Sequence, residues 1–359
     1  MKKLIIVGIL IICCLLPLAA QTAEQTAETN AGTTEKELYD IALTKLKNKE
    51  HIHAKEDLDK LIELNPKNPD YYFSMGYLYI DLNNFPSAIK YLDKTIELDP
   101  KYFPAYLNRS HIKYKQKKYQ ECIQDANKVL EISPYQLDAL YIRGKANKEL
   151  GNLQDALADY NIYLTIENNY PQTFLEHGDI NYQLEHYEDA IKSYKRAILL
   201  YELIKTENPD FDSRELMAVA YNQMAISKKE LGRYKDAIID LNIALNIDKR
   251  HANALYCNRG EMNYFLKNYK DALYDLNKSI ETDPTLAEAY YYRSLVQNEL
   301  GAKKEAKADF KKAKELGFTK EDIAKNLPPK NPLDNFIKVI IGGIGFIIAL
   351  ALFIKFLGK

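Results

Sequence analysis

Small residues recur along the middle of the chain with a fixed period. Ala54, Ala88, Cys122, Ala156 and Ala190 lie 34 residues apart, and after a gap of 47 the series resumes at Ala237, Ala272 and Ala306, spaced 35 and 34. A turn precedes most of them, with an aromatic or apolar residue three positions earlier: NNFPSAI, KKYQECI, GNLQDAL, EHYEDAI, GRYKDAI and KNYKDAL. Upstream in the same units stand Tyr72, Tyr106, Leu140, Phe174, Tyr221, Tyr256 and Tyr290, followed four residues later by Gly76, Ser110, Gly144, Gly178, Ala225, Gly260 and Ser294. That spacing puts a large and a small residue on one helix face. Each unit is therefore predicted to be two amphipathic helices that approach closely at the small residues. Pro66, Pro100, Pro134 and Pro284 close units where a helix must stop, since proline removes a donor and excludes helical geometry before it.

A bulky residue, a small residue four later, a second small residue twelve beyond that and a closing proline make a pattern that resembles the tetratricopeptide repeat family. The resemblance covers roughly Glu35 to Lys320 in eight units. It implies an all-α fold, a right-handed α-solenoid of about eight helix-turn-helix units. It also implies that the first helices line a concave groove that holds peptides or partner proteins. The positions matching that surface here include Phe73, Tyr77, Asn108, His111, Tyr114, Tyr141, Lys145, Tyr182, Asn222, Asn258, Glu261, Tyr264, Tyr291 and Asn298. Tyrosine and asparagine suit recognition because they combine rigid area with hydrogen bonding. Over all such positions eleven acids face six lysines, so the groove is expected to lean acidic. The lysine and asparagine clamp with which some members hold acidic tails is not assembled in adjacent repeats, and that function is not carried over.

A second regularity shares the register. Arg109, Arg143, Arg259 and Arg293 occupy one position of the first helix, and Asp125, Asp159, Asp275 and Asp309 lie sixteen residues on. An arginine row could grip an acidic ligand; the favoured expectation is a bridge from helix to helix, because a partly buried guanidinium needs a carboxylate and one sits in register. Between the fifth and sixth units, 13 residues exceed the 34-residue repeat. Here a second helix is expected to run past Ile204, followed by a loop at TENPDFD and a helix capped by Asp212 with Glu215 three later. The insertion reads either as a tolerated loop or as a docking ridge on which Leu199, Leu200, Leu203 and Ile204 expose apolar area.

The two ends differ from this array. MKKLIIVGILIICCLLPLAAQ has two lysines, an apolar run and then small residues, the layout of a secretory signal. Leu18 is a poor residue for cleavage after Ala20, which leaves an uncleaved anchor open. Residues 21–34 lack large apolar side chains and read as a spacer. The array is divided into residues 35–204 for five units, 205–217 for the insertion and 218–320 for three units. Residues 321–332 are expected to hold a capping helix and the proline-rich PPKNP linker. Residues 333–359 carry the apolar run from Phe336 to Leu357, 22 residues that as a helix measure about 33 Å, enough to cross a bilayer core of about 30 Å. With the array already capped, this run has nothing left to pack on and reads as a transmembrane helix. Lysines flank it on both sides, so charge does not choose its orientation.

Composition changes the picture little. Lys plus Arg at 49 balance Asp plus Glu at 50, which argues against nucleic acid as a partner. The 28 tyrosines and absence of tryptophan suit aromatic packing in helices. His51 and His53 lie near a turn and lack the spacing of three or four that aims two histidines at one metal, so they read as surface residues. Cys122 and Cys257 read as small packing residues. No phosphate loop, nucleophile elbow or metal-protease helix is present, so no cofactor, no metal and no enzyme activity are expected. The expected function is a membrane-anchored scaffold that presents its groove to a protein or peptide on the extracytoplasmic side. A cytosolic tail-anchored adaptor or co-chaperone is the alternative, and an enzyme or metal protein a remote one.

Overall fold

A computed structural model describes residues 34–250 and 252–319. The signal-like segment, the capping helix, the linker and the terminal apolar run therefore lie outside the described residues, as does all of the spacer except Thr34. Thr34 belongs to the fold: its hydroxyl accepts from Glu37 N–H while the Glu37 carboxylate accepts from Thr34 N–H, a reciprocal cap on the first helix.

Among the described residues there are sixteen helices, arranged as eight hairpins. The first four are α1 (Glu35–Lys47) with α2 (His51–Leu64), α3 (Pro69–Asp81) with α4 (Phe85–Leu98), α5 (Phe103–Lys115) with α6 (Tyr119–Ile132), and α7 (Leu137–Glu149) with α8 (Leu153–Ile166). The others are α9 (Pro171–Gln183) with α10 (Tyr187–Glu207), α11 (Arg214–Glu230) with α12 (Tyr234–Ile247), α13 (Ala252–Phe265) with α14 (Tyr269–Thr282), and α15 (Ala287–Glu299) with α16 (Lys303–Glu315). The chain divides into two compact units at Tyr163 and Leu164, inside α8. Among the described residues no helix is long and apolar enough to cross a membrane.

One turn closes every hairpin. In the second, Asn83 adopts φ 55°, its N–H reaches Ile80 C=O, and Asn84 N–H reaches Tyr79 C=O. These two bonds satisfy the carbonyls a helix end leaves orphaned. The same pair recurs with Lys49, Lys117, Glu185 and Lys267 in the left-handed conformation, and with Gly151, Gly232 and Gly301.

In four hairpins a glycine of the first helix meets a large residue of the second: Gly76 meets Leu92, Gly144 Tyr160, Gly178 Tyr194 and Gly260 Leu276. A Cβ added at Gly178 would lie 2.6 Å from Tyr194 Cε1, and one at Gly260 would lie 2.7 Å from Leu276 Cγ. Tyr194 and Leu276 are fully buried, as are Ala190 and Ala272 one turn before them. The backbones come this close because the missing side chain leaves room for the partner, and close packing is what such interiors require.

The extra residues between the fifth and sixth hairpins lengthen helices more than they make a loop. The insertion placed at 205–217 is taken up in part by the last turn of α10, which has 21 residues, and the first turn of α11, which has 17. The cap on α11 is Ser213, one residue later than expected, and Asp212 accepts instead from the Arg214 N–H and guanidinium. Of the four residues proposed as an apolar ridge, Leu199 and Leu203 are exposed, Ile204 is half-buried, and Leu200 is buried. A helix has one inward face, and Leu200 and Tyr201 are on it together with Ala197 and Ile198.

The arginine rows are bridges. Arg143 donates to both oxygens of Asp159 at 2.5 to 3.2 Å, and Arg109, Arg259 and Arg293 grip Asp125, Asp275 and Asp309 in the same two-pronged way. Each also reaches back to the second helix of the preceding hairpin: Arg143 Nη1 donates to Asn127 at 2.7 Å, Arg259 to Asn242 at 2.6 Å, Arg293 to Asn277 at 2.9 Å, and Arg109 to Asp93. One guanidinium thus joins three helices. In the first hairpin Lys45 meets buried Asp57 at 2.6 Å, and in the sixth Lys228 meets buried Asp240 at 2.5 Å, from a site four residues later on the first helix. The fifth hairpin makes the junction neutral, with His177 Nδ1 2.8 Å from Ser193 Oγ, and the second replaces it by the stacked rings of Tyr79 and Tyr91.

Burial raises the Asp159 carboxyl above its ordinary value, and Arg143 works against it. Removing Arg143 should therefore strand a buried acid. Arg143→Ala is expected to destabilise by about 1 to 3 kcal/mol in chemical denaturation, and Arg143→Ala with Asp159→Ala to recover part of that loss. Additive losses in the cycle would show that the pair is not coupled.

Candidate partner-binding face

First helices of successive hairpins touch one another within each unit: α1 with α3 and α5 with α7 in one, α9 with α11, α11 with α13 and α13 with α15 in the other. Their free sides form a face in each unit, and the fourteen expected residues divide evenly between the two.

In the first unit Lys145, on α7, joins the faces of α5 and α7. Its ammonium lies 5.2 Å from the ring centre of Tyr114 on the neighbouring first helix and 5.5 Å from that of Tyr141 on its own, a cation held between two aromatic faces. Tyr141 is itself held edge-on by Tyr160, and Tyr114 leans on Tyr119 at 5.5 Å. His111 and Asn108 stand on the same helix as Tyr114 and are half-buried, as is Tyr77. Burial, with Lys115 and Lys145 nearby, pushes the His111 imidazole down to about 4. Phe73 does not belong to the exposed face. It is buried, tilted against Tyr102 with ring centres 5.1 Å apart, because that position points toward the start of the next hairpin.

In the second unit Tyr182, Asn222, Asn258 and Tyr264 are half-buried and Asn298 is exposed. Asn258 donates to Asn222 at 2.8 Å, joining α13 to α11. Two expected residues are turned inward. Glu261 is buried, accepts from Tyr292 at 2.5 Å and meets Lys229 at 3.2 Å, so its carboxylate is committed to packing three first helices together. Burial raises the Glu261 carboxyl, against the pull of Lys229 and Tyr292. Burial also acts to lower the Lys229 ammonium, and Glu261 and Glu230 outweigh it and hold it above its ordinary value. Tyr291 is buried and stacks on Phe318 with ring centres 4.5 Å apart.

The expected acidic lean belongs to one unit only. The first holds Asp40, Asp70, Asp81, Asp138 and Glu149 against Lys36, Lys47, Lys115, Lys145 and Lys148, whereas the second holds Glu176, Asp179, Glu230, Glu261, Glu288 and Glu299 against Lys229. Even in the first unit several acids are in use: Asp70 accepts from Tyr102 at 2.7 Å, and Asp81 lies 2.5 Å from His51 Nε2. His51 is thus a link between hairpins, where a surface histidine was expected. His53 is exposed, 3.5 Å from Glu56. Cys122 and Cys257 are buried free thiols in separate units, and burial raises both. Among the described residues no group of three or more His, Cys, Asp or Glu could hold a metal ion.

The tyrosines that open the second helices mark the repeat in the sequence, and their packing on the first-helix tyrosines is what pattern reading missed. Tyr119, Tyr187 and Tyr269 lean on Tyr114, Tyr182 and Tyr264 at 5.5, 5.6 and 6.2 Å. A tyrosine pair spaced by five across a turn is the signal that would have found it.

Comparison with known proteins agrees with this architecture. Tetratricopeptide repeat profiles match residues 38–68, 103–136 and 171–202, and a second such profile matches residues 58–90, so the chain carries tetratricopeptide repeats. A tetratricopeptide repeat protein from Parabacteroides merdae is 24% identical, with a TM-score of 0.50 over 72% of this chain and 97% of that one, and shares the fold. The structure of YrrB, described as a tetratricopeptide repeat protein with an unusual peptide-binding site, is 19% identical with a TM-score of 0.49, covering 56% of this chain and 97% of its own. MamA is 18% identical with a TM-score of 0.45 over 51% and 93%. The search of curated proteins gave no match.

The position of His111 has a measurable consequence. Its pKa is lower folded than unfolded, so its contribution to stability is complete above about pH 6.5 and is lost as pH falls toward 4. Between pH 7 and pH 5 the native chain should lose up to about 2 kcal/mol more than His111→Gln does, read as the difference between their denaturation midpoints. Parallel pH profiles would show that the imidazole is not desolvated.

Proposed function

We propose that the chain is a membrane-anchored, non-enzymatic scaffold that holds a protein or peptide partner on the first-helix face, with the repeats on the extracytoplasmic side. The observation that carries the binding reading is the arrangement around Lys145. Two rings from adjacent repeats and a cation present rigid area and charge on the free side of the first helices, where a side chain that served stability alone would point inward. Asn108, Asn222 and Asn298 extend the same faces with hydrogen-bonding groups. The anchoring reading is supported by the apolar sequence from Phe336 to Leu357 beyond a proline-rich break, and the side by the signal-like start.

Photo-crosslinking in intact membranes tests the binding. A photoreactive residue at Asn108 or Asn298 should capture a discrete partner, and Lys145→Glu should reduce the yield at Asn108 by about tenfold. The same probe at Lys192, exposed on a second helix, should capture none. Equal capture from all three sites would dismiss a dedicated face. A cysteine at Asp210, in the exposed loop before α11, should react with an impermeant reagent on whole cells. Reaction only after permeabilisation would replace the exported reading by the cytosolic one.

A further inference from the structure

The last described helix has a charge pattern unlike any other in the array. α16, KKEAKADFKKAKE, holds six lysines and three acids, and one of those acids, Asp309, is taken by Arg293 at 2.7 Å. At about 3.6 residues per turn, Lys303, Lys304, Lys307, Lys311 and Lys314 fall within an arc of about 100°, which no acid shares. All five are exposed. The buried side of the helix, Ala306, Asp309 and Ala313, lies on the other flank. Lys314 is fixed over Phe310 at 4.5 Å, and Lys311, whose side chain is 81% exposed, lies 3.6 Å from Glu315, itself exposed. A terminal repeat needs a polar outer side to stay in water. That requirement explains polarity but not a single sign, in a chain whose net charge is −1.

We propose that this lysine stripe lies on an anionic lipid surface and orients the array at the bilayer. The inference rests on the anchored reading above. Twenty residues separate Glu315 from Phe336, so the tether can extend no more than about 70 Å. The helix is thereby held near the membrane at high local concentration. Within a Debye length of an anionic surface each lysine adds attraction, and five on one face add together.

The test uses the full chain, reconstituted into vesicles of phosphatidylcholine alone or with one third phosphatidylglycerol, recovered by flotation and footprinted with an impermeant lysine-acetylating reagent read by mass spectrometry. In the anionic vesicles the five stripe lysines should be modified at least about fivefold more slowly than in the neutral ones, and the difference should vanish in about 1 M salt. Lys128 and Lys192, exposed on other helices, should be modified equally in both. Lys307→Glu with Lys311→Glu should restore the reactivity of Lys303 and Lys314 and leave flotation unchanged. A chain that floats with both lipids but is modified equally would overturn the stripe's role and leave the anchor standing. A chain that floats with neither would remove the anchor and this inference together. Protection in neutral vesicles on adding polyglutamate, without protection by anionic lipid, would assign the stripe to an acidic protein and contradict the proposal.

Discussion

The close contact between a small residue on the first helix and a large one on the second sets the geometry on which everything else in this array depends. At Gly178 and Gly260 the room left by a missing side chain is filled by Tyr194 and Leu276. The distance between the two helices is therefore not adjustable, and a buried aspartate near that point can be reached by an arginine or lysine only from a fixed place. The second-helix aspartates at 57, 125, 159, 240, 275 and 309 are all buried, and each meets its cation. A buried acid left unpaired costs several kcal/mol, so these junctions restrict which hairpin geometries are tolerable more than they add net stability.

The arginine junctions also carry the repeat from one hairpin to the next. A guanidinium has five donors in a planar fork, and two of its edges are used here, one on the aspartate of its own hairpin and one on Asp93, Asn127, Asn242 or Asn277 of the hairpin before. Lysine at Lys45 or Lys228 neutralises the acid without that second reach. With their inner sides committed to this scaffold, the first helices leave an outer side free for Tyr114, Tyr141, Lys145 and the asparagines. In the proposed function recognition and packing are separated by helix face, and the buried Glu261, Tyr291 and Phe73 fall on the packing side.

The helices, their pairing and the arginine bridges were legible because each repeats on a period that local geometry imposes. Gly76, Gly144, Gly178 and Gly260 announce the contact four residues after a bulky side chain, and Arg143 with Asp159 announces the bridge at sixteen. The lysine version was equally present at a spacing of twelve, Lys45 to Asp57, Lys113 to Asp125 and Lys228 to Asp240, and escaped because the arginine row drew the register. The inward turn of Glu261 was not legible. It depends on Lys229 and Tyr292 arriving from the neighbouring repeats, and neither lies at a fixed distance that a single repeat defines. The long helix past Ile204 and the break at TENPDFD were legible in the insertion, whereas the burial of Leu200 was not, because the excess of 13 residues says nothing of which side of the lengthened helix turns inward with Ala197 and Ile198.

If the small-on-large contact governs the hairpin, its sign can be read from one substitution in two backgrounds. In the native chain Gly260→Ala places a Cβ 2.7 Å from Leu276 Cγ and should destabilise by about 1 to 3 kcal/mol in equilibrium denaturation. With Leu276→Ala already in place the room is there, and the same change should stabilise by about 0.5 to 1 kcal/mol, the ordinary gain of alanine over glycine inside a helix. A Gly260→Ala chain more stable than the native one, or an equal loss in both backgrounds, would contradict the account.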